Sequence, residues 1–303
     1  MSARTGSGKT PFPRHMKRAV DRLSAMAPGV NLVFEILDAR APLASSSPDL
    51  TRILENAAVL RVLTRADLVP SADLRGWLER FSADGKPALG FSSKRALERK
   101  RFLDRLERHA LSPLRREKRV VRALVVGVPN VGKSTFINFL VKRRSAPVGA
   151  APGVTRGFQL IAVSKGFYVY DTPGVLQPGS DSPDRRRILG LIGSLREPEF
   201  DVEDAAGFLF RFLKENAPGA LKKYVSDDAA APESFHEFCN ALAARRGFLA
   251  RGGIRDLHRA CRVFVEDFSR GRTAGVSLQA PPEKARRRNE RRDSQPANGE
   301  KSR

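Results

Sequence analysis

Residues Gly127–Thr135 read Gly-Val-Pro-Asn-Val-Gly-Lys-Ser-Thr, a stretch that fits the phosphate-loop pattern G-x-x-x-x-G-K-[ST]. The glycines of this pattern permit a tight turn around an anion. A nearly continuous apolar run, Val120–Val126, precedes the loop and predicts a buried parallel strand. Phe136–Val141 continues as the apolar opening of a helix. A strand, a glycine loop and a helix N-terminus in this order predict a nucleotide phosphate site.

The side chains of this loop have separate expected roles. Lys133 would reach the outer phosphates, and the Ser134 hydroxyl would ligate Mg²⁺. The nucleotide is expected to contact Pro129, Asn130, Val131, Gly132, Lys133, Ser134 and Thr135. A similar stretch, Gly6–Thr10, lacks both the first glycine of the pattern and a preceding strand. We therefore expect a flexible basic leader there.

Composition and charge narrow the class of protein. The chain of 303 residues is long enough for about two domains. Its formal charge of +22 indicates a polyanionic partner, with nucleic acid favoured over a membrane because no long basic amphipathic helix stands out. No apolar stretch approaches the ~20 residues of a membrane span. Cys239 and Cys261 lack metal-ligand spacing, so we expect a reducing cytoplasm and neither a disulfide framework nor a zinc site.

Strands and helices alternate over the first part of the chain. Apolar runs predict strands at Val30–Leu37, Ala57–Leu63 and Pro87–Phe91, and a hairpin formed by Phe158–Val163 and Phe167–Tyr170. Helices are predicted at Asp73–Phe81 and Arg95–Leu111, with Pro113 ending the second. The first strand runs into Asp38–Pro42, a polar loop at the edge where α/β proteins place their sites. This alternation predicts a mostly parallel sheet with helices on both faces.

Helical patterns dominate beyond Gln177–Asp184, a stretch rich in Gly, Ser and Pro that marks a domain boundary. Amphipathic stripes predict helices at Ala205–Asn216, Glu233–Arg246 and Leu257–Ser269, and hence a smaller all-α domain. The predicted organisation is a basic segment 1–24, a nucleotide-binding domain 25–180, a helical domain 181–280 and a disordered basic tail 281–303. The arginines of that tail either grip phosphates or are merely solvated.

A second motif, Asp171-Thr-Pro-Gly174, follows the predicted hairpin. Its aspartate would hold Mg²⁺ through water, and the Gly174 N–H would meet the γ-phosphate and sense its loss. Thr155 lies between the two motifs in the basic loop 142–157, where a second hydroxyl ligand would be supplied. The expected metal ligands are therefore Ser134, Thr155 and Asp171.

Base recognition is predicted from two stretches that precede the phosphate loop. Thr64-Arg65-Ala66-Asp67 resembles the guanine-reading motif Asn-Lys-x-Asp, and Ser92-Ser93-Lys94 resembles the Ser-Ala-Lys element that supports the base. The Asp67 carboxylate would accept the N1–H and N2–H₂ of guanine, which adenine does not offer in that arrangement. The Arg65 stem would lie over the base plane. These elements normally follow the phosphate loop, so the inverted order resembles a circularly permuted GTPase.

Three further segments narrow the resemblance to one family. Phe12-Pro-Arg-His-Met16, Asp38-Ala-Arg-Ala-Pro42 and Asp267-Phe-Ser-Arg-Gly271 resemble segments of the ribosome biogenesis GTPase A family. The likeness runs from about Pro11 to Leu278. It implies a circularly permuted P-loop GTPase domain and a cytoplasmic protein that binds the assembling large ribosomal subunit. Hydrolysis would let the protein leave or advance that particle.

Some positions depart from the family pattern. Thr64 replaces the usual Asn and Arg65 the usual Lys, but Asp67 remains, so we expect guanine specificity to persist. Val175 stands where Ras-type enzymes place a Gln that orients water. The resemblance nominates His15 as the catalytic replacement. On the alternative interpretation, His15 is only a polar residue on a basic arm.

The leading interpretation is a monomeric switch that hydrolyses GTP to GDP slowly alone and faster on the large subunit and its rRNA. One alternative is a nucleotide-gated RNA-binding scaffold with negligible catalysis. A P-loop kinase or ATPase is another alternative, against which Asp67 argues. The expected cofactor is Mg²⁺, with K⁺ as a second ion because Asn130 matches a position that coordinates K⁺ in some related GTPases. No membrane partner is expected.

Overall fold

A six-stranded sheet forms the centre of the first part of the chain. The computed structural model describes residues 29–46, 57–94, 99–141, 159–171, 182–225 and 232–282. The strands are β1 (Leu32–Asp38), β2 (Ala58–Thr64), β3 (Ala88–Gly90), β4 (Val121–Val126), β5 (Gln159–Ser164) and β6 (Phe167–Asp171). Their order is β3-β2-β1-β4-β6-β5, and β5 pairs with β6 antiparallel while the other described pairs are parallel. The predicted mostly parallel sheet is confirmed.

Side chains of β1 alternate between two cores because successive residues of a strand point to opposite faces. Phe34 enters the larger core, where its ring meets those of Phe136 and Phe167 edge to face, with centroids 5.2 and 6.4 Å away. Leu37 enters a smaller core together with Trp77. Both faces of the sheet are thus covered, which explains why its central strands read as almost continuous apolar runs.

The helices around the sheet are α1 (Pro42–Ser45), α2 (Ser71–Ala83), α3 (Arg99–Leu106), α4 (Ser112–Glu117) and α5 (Lys133–Leu140). Helix α2 covers the smaller core, and α3 and α5 cover the larger one. The predicted helix end at Pro113 is wrong. A π-helical turn, Glu107–Leu111, joins α3 to α4, and Pro113 lies in the first turn of α4. A proline is tolerated there because the first N–H groups of a helix have no partner within it.

Helices α6 (Pro183–Leu191), α7 (Val202–Asn216), α8 (Gly219–Val225), α9 (Phe235–Arg246) and α10 (Leu257–Ser269) form the C-terminal bundle. The side chains of Asp201, Ser234 and Asp256 accept backbone N–H groups at the starts of α7, α9 and α10. The apolar stripes meet in the bundle core, where the rings of Phe238 and Phe264 lie 4.6 Å apart. The predicted all-α domain after the sheet is confirmed.

The chain returns to the sheet domain after α10. Leu278 N–H donates to the Arg40 carbonyl over 2.8 Å, and Trp77 Nε1 donates to the Gln279 carbonyl over 3.0 Å. The Gln279 side-chain oxygen accepts two N–H groups of α1, at 2.8 and 3.1 Å. This stretch, which the sequence places at the end of the helical domain, therefore packs against the first domain.

Several predicted boundaries fall outside the described residues. The division at residues 180 and 181, the segment 1–24 and nearly all of the tail 281–303 stay predictions for that reason. Cys239 and Cys261 are free thiols of the bundle core, with their Sγ atoms 3.6 Å apart. Among the helices that the structure describes, none is long and apolar enough to cross a membrane.

Candidate nucleotide-binding cleft

A cleft of about 230 Å³ opens at the carboxyl ends of the central strands, where parallel sheets place their ligand sites. The residues in its wall are Thr64, Arg65, Asp67, Leu68, Phe91, Ser93, Lys94, Asn130, Val131, Gly132, Thr135 and Arg270. The predicted guanine-reading stretch and the predicted phosphate loop therefore face one cavity. A single nucleotide that spans both stretches requires this arrangement.

The phosphate loop adopts a backbone that glycine favours at two points. Gly127 has a φ of 154°, and a Cβ there would stand 2.5 Å from the Ile36 carbonyl oxygen. Gly132 has a φ of 106° and begins α5. Lys133 folds back over the loop, with Nζ donating to the carbonyls of Gly127 and Val128 over 2.9 and 2.8 Å. The N-terminus of α5 thus borders the cleft, an arrangement that suits phosphate.

Thr64 joins the predicted guanine-reading stretch to the phosphate loop. Its buried Oγ1 lies 2.6 Å from the Val131 carbonyl and 3.0 Å from the Leu37 carbonyl. A hydroxyl has one proton, so it donates to one of these carbonyls at a time, whereas an asparagine amide has two donor hydrogens. Thr64 therefore keeps the connection between the Asp67 stretch and the phosphate loop, with one donor hydrogen fewer than an asparagine would supply.

Asp67 is held by the loop that follows β3. The Ser92 hydroxyl donates to its carboxylate, and Lys94 Nζ lies 3.5 Å from Oδ2. Burial raises the pKa of Asp67, but the hydrogen bonds from Ser92 and the backbone and the charge of Lys94 outweigh burial and lower it. Ala66 N–H also donates to the Phe91 carbonyl over 3.1 Å, which joins the two loops. Asp67 is thus an ionised acceptor at neutral pH.

A buried ion network adjoins the cleft. Asp38, which is 0% exposed, accepts hydrogen bonds from Arg40 Nε and Nη2 over 3.0 and 2.9 Å and from Arg65 Nη1. Burial raises the pKa of Asp38, but the charges of Arg40 and Arg65 outweigh it and lower the pKa overall. The sequence predicted a polar loop here at the sheet edge. The Asp38 and Arg40 side chains are instead buried, because the carboxylate and the guanidinium groups pair with one another.

The turn after α6 also contacts both halves of the site. Asn130 Nδ2 donates to the Gly193 carbonyl over 2.9 Å. Arg65 Nη1 lies 3.3 Å from the Ile192 carbonyl, and its Nη2 donates to the Asn130 carbonyl over 3.0 Å. Arg65 and Asn130 are the non-glycine residues with positive φ within the described ranges, at 54° and 56°. Strained backbone of this kind is concentrated at functional sites.

The residues expected to hold Mg²⁺ fit that ion by their donor chemistry. Ser134 is exposed in the first turn of α5. Asp171 ends β6 and pairs in register with Val125 of β4, the strand that leads into the phosphate loop. Hydroxyl and carboxylate oxygens suit Mg²⁺, which usually completes its shell with phosphate and water. No group of three His, Cys, Asp or Glu side chains in the described part of the chain could hold a metal by itself.

The predicted site residues fall into three sets. Those in the cleft wall are Thr64, Arg65, Asp67, Ser93, Lys94, Asn130, Val131, Gly132 and Thr135. Those in the same loops but outside the wall are Ala66, Ser92, Pro129, Lys133 and Ser134. Those outside the described residues are His15, Thr155, Gly174 and the side chain of Asp171.

Three wall residues were missed by the sequence interpretation: Leu68, Phe91 and Arg270. Leu68 and Phe91 adjoin the predicted Asp67 and Ser92, so their proximity could have been inferred. Arg270 belongs to the family-like segment Asp267–Gly271, but no local pattern in that segment indicates a nucleotide contact.

Comparisons with known proteins show that the chain is similar to GTPases of ribosome assembly. The family described as "50S ribosome-binding GTPase" matches residues 122–221. Ribosome biogenesis GTPase A of Bacillus licheniformis is 31% identical over 282 residues, which cover 89% of this chain and 97% of the relative. Ribosome biogenesis GTPase A of Thermotoga maritima is 32% identical over 270 residues, which cover 89% of this chain and 94% of the relative.

Solved structures show the same similarity. A crystal structure of GNP-bound YlqF from Thermotoga maritima matches with a TM-score of 0.65 and 28% identity, over 88% of this chain and 98% of that chain. A GDP-bound structure of YlqF matches with a TM-score of 0.64 and 28% identity, over 86% and 99% of the two chains. The match therefore includes helices of the bundle as well as the sheet.

Proposed function

This chain belongs to the ribosome biogenesis GTPase A family, and on that premise we propose that it hydrolyses GTP on the assembling large ribosomal subunit. The GTP-bound state would favour binding to the particle, and the GDP-bound state would favour release. As a family member the chain is a GTPase of ribosome assembly, with a guanine nucleotide and a ribosomal particle as its ligands. The observation that carries the proposal is the single cleft faced by Asp67 and the phosphate loop.

The first domain is a circularly permuted P-loop GTPase domain. Strand β2, which leads into Asp67, precedes the phosphate-loop strand β4 along the chain. In the sheet both strands nevertheless flank β1, so their carboxyl ends open onto the same cleft. The permutation therefore changes the order of the elements along the chain and leaves the nucleotide site intact.

Asp67 would recognise the base, and the phosphate loop would bind the triphosphate. The ionised carboxylate accepts the N1–H and N2–H₂ of guanine, and Ser92 and Lys94 keep it oriented. The N–H groups from Gly132 onward would bind the phosphates, and Lys133 would leave the carbonyls it now contacts to reach the β- and γ-phosphates. The Arg65 stem would lie along the base.

Ser134, Thr155 and Asp171 would hold Mg²⁺, which neutralises the charge that develops on the phosphates during hydrolysis. Gly174 would sense loss of the γ-phosphate through its backbone N–H. Asn130 would carry the proposed K⁺ dependence, and its Nδ2 bond to Gly193 leaves the amide oxygen for an ion. Exchange of K⁺ for Na⁺ tests this role, and equal GTP turnover in the two salts would contradict it.

His15 would position the attacking water once the particle organises the N-terminal segment. Val175 is apolar and cannot do so, which is why we expect slow turnover by the protein alone. His15→Ala is expected to abolish the stimulation by large subunits and to leave GDP affinity unchanged. Stimulation that survives in His15→Ala would exclude the catalytic role.

The large positive charge of the chain supports rRNA as the surface that it meets on the particle. We propose that the protein acts as a cytoplasmic monomer. Its organisation would be a basic segment 1–24, the GTPase domain 25–180, the helical domain 181–280 and the basic tail 281–303.

The decisive experiment sediments the purified protein with large subunits in the presence of GTP, a non-hydrolysable GTP analogue or GDP. We expect comigration with the analogue, release with GDP, and faster GTP turnover when subunits are added. Comigration without any increase in turnover would favour a nucleotide-gated scaffold. Equal comigration with GTP, the analogue and GDP would contradict the proposal that the nucleotide controls binding to the particle.

A further inference from the structure

Arg270 stands in the wall of the nucleotide cleft, although it belongs to the helical domain. It follows the last residue of α10 and lies in the same wall as Asp67 and Leu68. Its side chain is 53% exposed and pairs with Glu266, one turn earlier, over 2.5 Å. An exposed pair of this kind contributes little to folding, so the guanidinium is available to a ligand in the cleft.

The end of α10 is fixed against the cleft from two sides. Gly271 has a φ of 71°, and a Cβ there would lie 2.5 Å from Leu68 Cδ1, so the backbone packs directly on the turn that carries Asp67. From the other side, Arg40 donates to the carbonyls of Phe268 and Ser269 over 2.6 and 3.3 Å. Because these contacts hold the backbone around Arg270, its position beside the base end of the cleft is built into the fold.

The chemistry of Arg270 suits the face of a purine. A guanidinium is planar and stacks on aromatic rings, and it combines this contact with cation–π attraction. Within the described wall the aromatic residue is Phe91, which is 4% exposed and packs into the core. Arg270 therefore supplies an exposed planar group at the Asp67 end of the cleft.

We propose that Arg270 contacts the bound nucleotide, with its guanidinium on the guanine base, so that the helical domain completes the nucleotide site. This inference rests on the proposed function. By thermodynamic linkage, a nucleotide that gains affinity from Arg270 also stabilises the docking of α10 on the sheet domain by the same free energy. The helical domain thereby senses occupancy of the cleft at the base end, independently of the γ-phosphate.

The test measures the affinity of GMP, GDP and GTP by calorimetry for the full chain and its variants. Arg270→Ala is expected to weaken GDP binding about 5- to 20-fold, between the effects of an exposed and of a desolvated cation–π contact. The same factor is expected for GMP and GTP, because the base is common to all three. Arg270→Lys should recover only part of the loss, since lysine keeps the charge without the planar group.

Arg272→Ala is the matched control. Arg272 leaves the same end of α10, is 61% exposed and pairs with Asp267, but does not line the cleft. We expect wild-type affinities from this variant. Both variants should melt at the wild-type temperature without nucleotide, and Arg270→Ala alone should show a smaller increase in melting temperature when GDP is added.

Two results would overturn the inference while leaving the GTPase assignment standing. Equal GDP affinities for the wild type and Arg270→Ala would exclude the contact. If the loss of affinity in Arg270→Ala grows from GMP to GDP to GTP, Arg270 contacts the phosphates and not the base. A wild type that binds no guanine nucleotide would instead overturn the proposed function, and this inference with it.

Discussion

Asp67, the carboxylate that we propose recognises the base, is held in its ionised form by its neighbours. Its pKa is lowered because the hydrogen bond from Ser92 and the charge of Lys94 outweigh burial. Because the charged form is the acceptor that guanine needs, a lowered pKa keeps the site competent across the physiological range. The Thr64 hydroxyl holds the stretch that carries Asp67 to the phosphate loop by a hydrogen bond to the Val131 carbonyl.

The first prediction tests the proposed recognition of guanine by Asp67. Asp67→Asn replaces one of the two acceptor oxygens by an amide donor, which leaves one guanine N–H group without its acceptor, so GDP affinity should fall about 10- to 100-fold. Xanthosine diphosphate should bind better than it does to the wild type, because its C2 carbonyl accepts from the new amide. Fluorescent-nucleotide titration measures both constants. The advantage of the wild type over Asp67→Asn in GDP affinity should persist down to about pH 4 and shrink below it, since only the ionised carboxylate makes the contact.

The second prediction concerns the Thr64 hydroxyl. Thr64→Val keeps the shape but removes the donor to the Val131 carbonyl, so we expect a loss of about 1–3 kcal/mol of stability and faster GDP dissociation. Thr64→Ser keeps the hydroxyl and should dissociate GDP at nearly the wild-type rate. Urea unfolding and stopped-flow dissociation measure the two effects. Identical behaviour of the valine and serine variants would show that the hydroxyl does not hold the loop.

Helix α6 illustrates what one element contributes to the site. It ends in the turn whose Ile192 and Gly193 carbonyls accept from Arg65 and Asn130. Gly190 lies in the last turn of α6 and lets the Phe200 ring pack against the helix backbone. A Cβ at this position would lie 2.4 Å from that ring. Packing of one helix thus determines where two cleft residues find acceptors.

The third prediction compares two glycines of the bundle. Gly190→Ala should destabilise the protein by about 1–3 kcal/mol, as overpacking of a filled site does. Gly219→Ala, in α8, has nothing within 4 Å of the new Cβ and should be neutral or stabilising by up to about 1 kcal/mol. Thermal and urea unfolding of both variants measure the difference. Equal destabilisation would contradict the packing argument.

At the scale of the whole molecule, the two domains share one continuous hydrophobic core. The buried network adds a polar link, in which Asp38 binds Arg40 and Arg65 while Arg40 binds the end of α10. The cleft and the helical bundle are therefore joined through a network in which Asp38 and Arg40 are buried and Arg65 is 29% exposed. The segment that returns after α10 ties the bundle to α1 and α2 as well.

The fourth prediction breaks that link. Arg40→Met leaves Asp38 buried with one guanidinium fewer and should cost about 3–5 kcal/mol, the usual loss when one partner of a buried pair is removed. Adding Asp38→Asn should restore part of the stability, because the buried charge that Arg65 alone would then have to neutralise disappears. Urea unfolding of both single variants and the double variant measures the coupling. A double variant that loses the sum of the single losses would contradict it.

The pH dependence of this network has a definite sign. The folded-state pKa of Asp38 is lowered, so its contribution to stability is present above about pH 4, the pKa of an unfolded aspartate, and is lost as the pH falls toward the folded-state value. The stability difference between the wild type and Asp38→Asn should therefore narrow below that pH. A difference that stays constant would show that the carboxylate charge does not stabilise the fold.

Local patterns were enough to identify the phosphate loop, the predicted strands and helices that lie within the described residues, and the inverted order of the guanine-reading stretch. Strands and helices are recognised by the period of their apolar residues. The phosphate loop is recognised from a few adjacent residues, Gly127–Thr135. The prediction for Pro113 was wrong because a proline can either follow the end of a helix or lie in the first turn of one. Adjacent residues do not show which of these two positions it occupies.

Contacts between distant parts of the chain emerged only from the folded molecule. The hydrogen bond from Arg40 to the end of α10, the return of Gln279 to α1 and the presence of Arg270 beside Asp67 in the cleft each join residues that lie far apart in sequence. A charged residue looks solvent-exposed in sequence until its partner is known, because pairing alone makes its burial tolerable. Such pairs depend on how the bundle packs against the sheet, which no periodicity along the chain encodes.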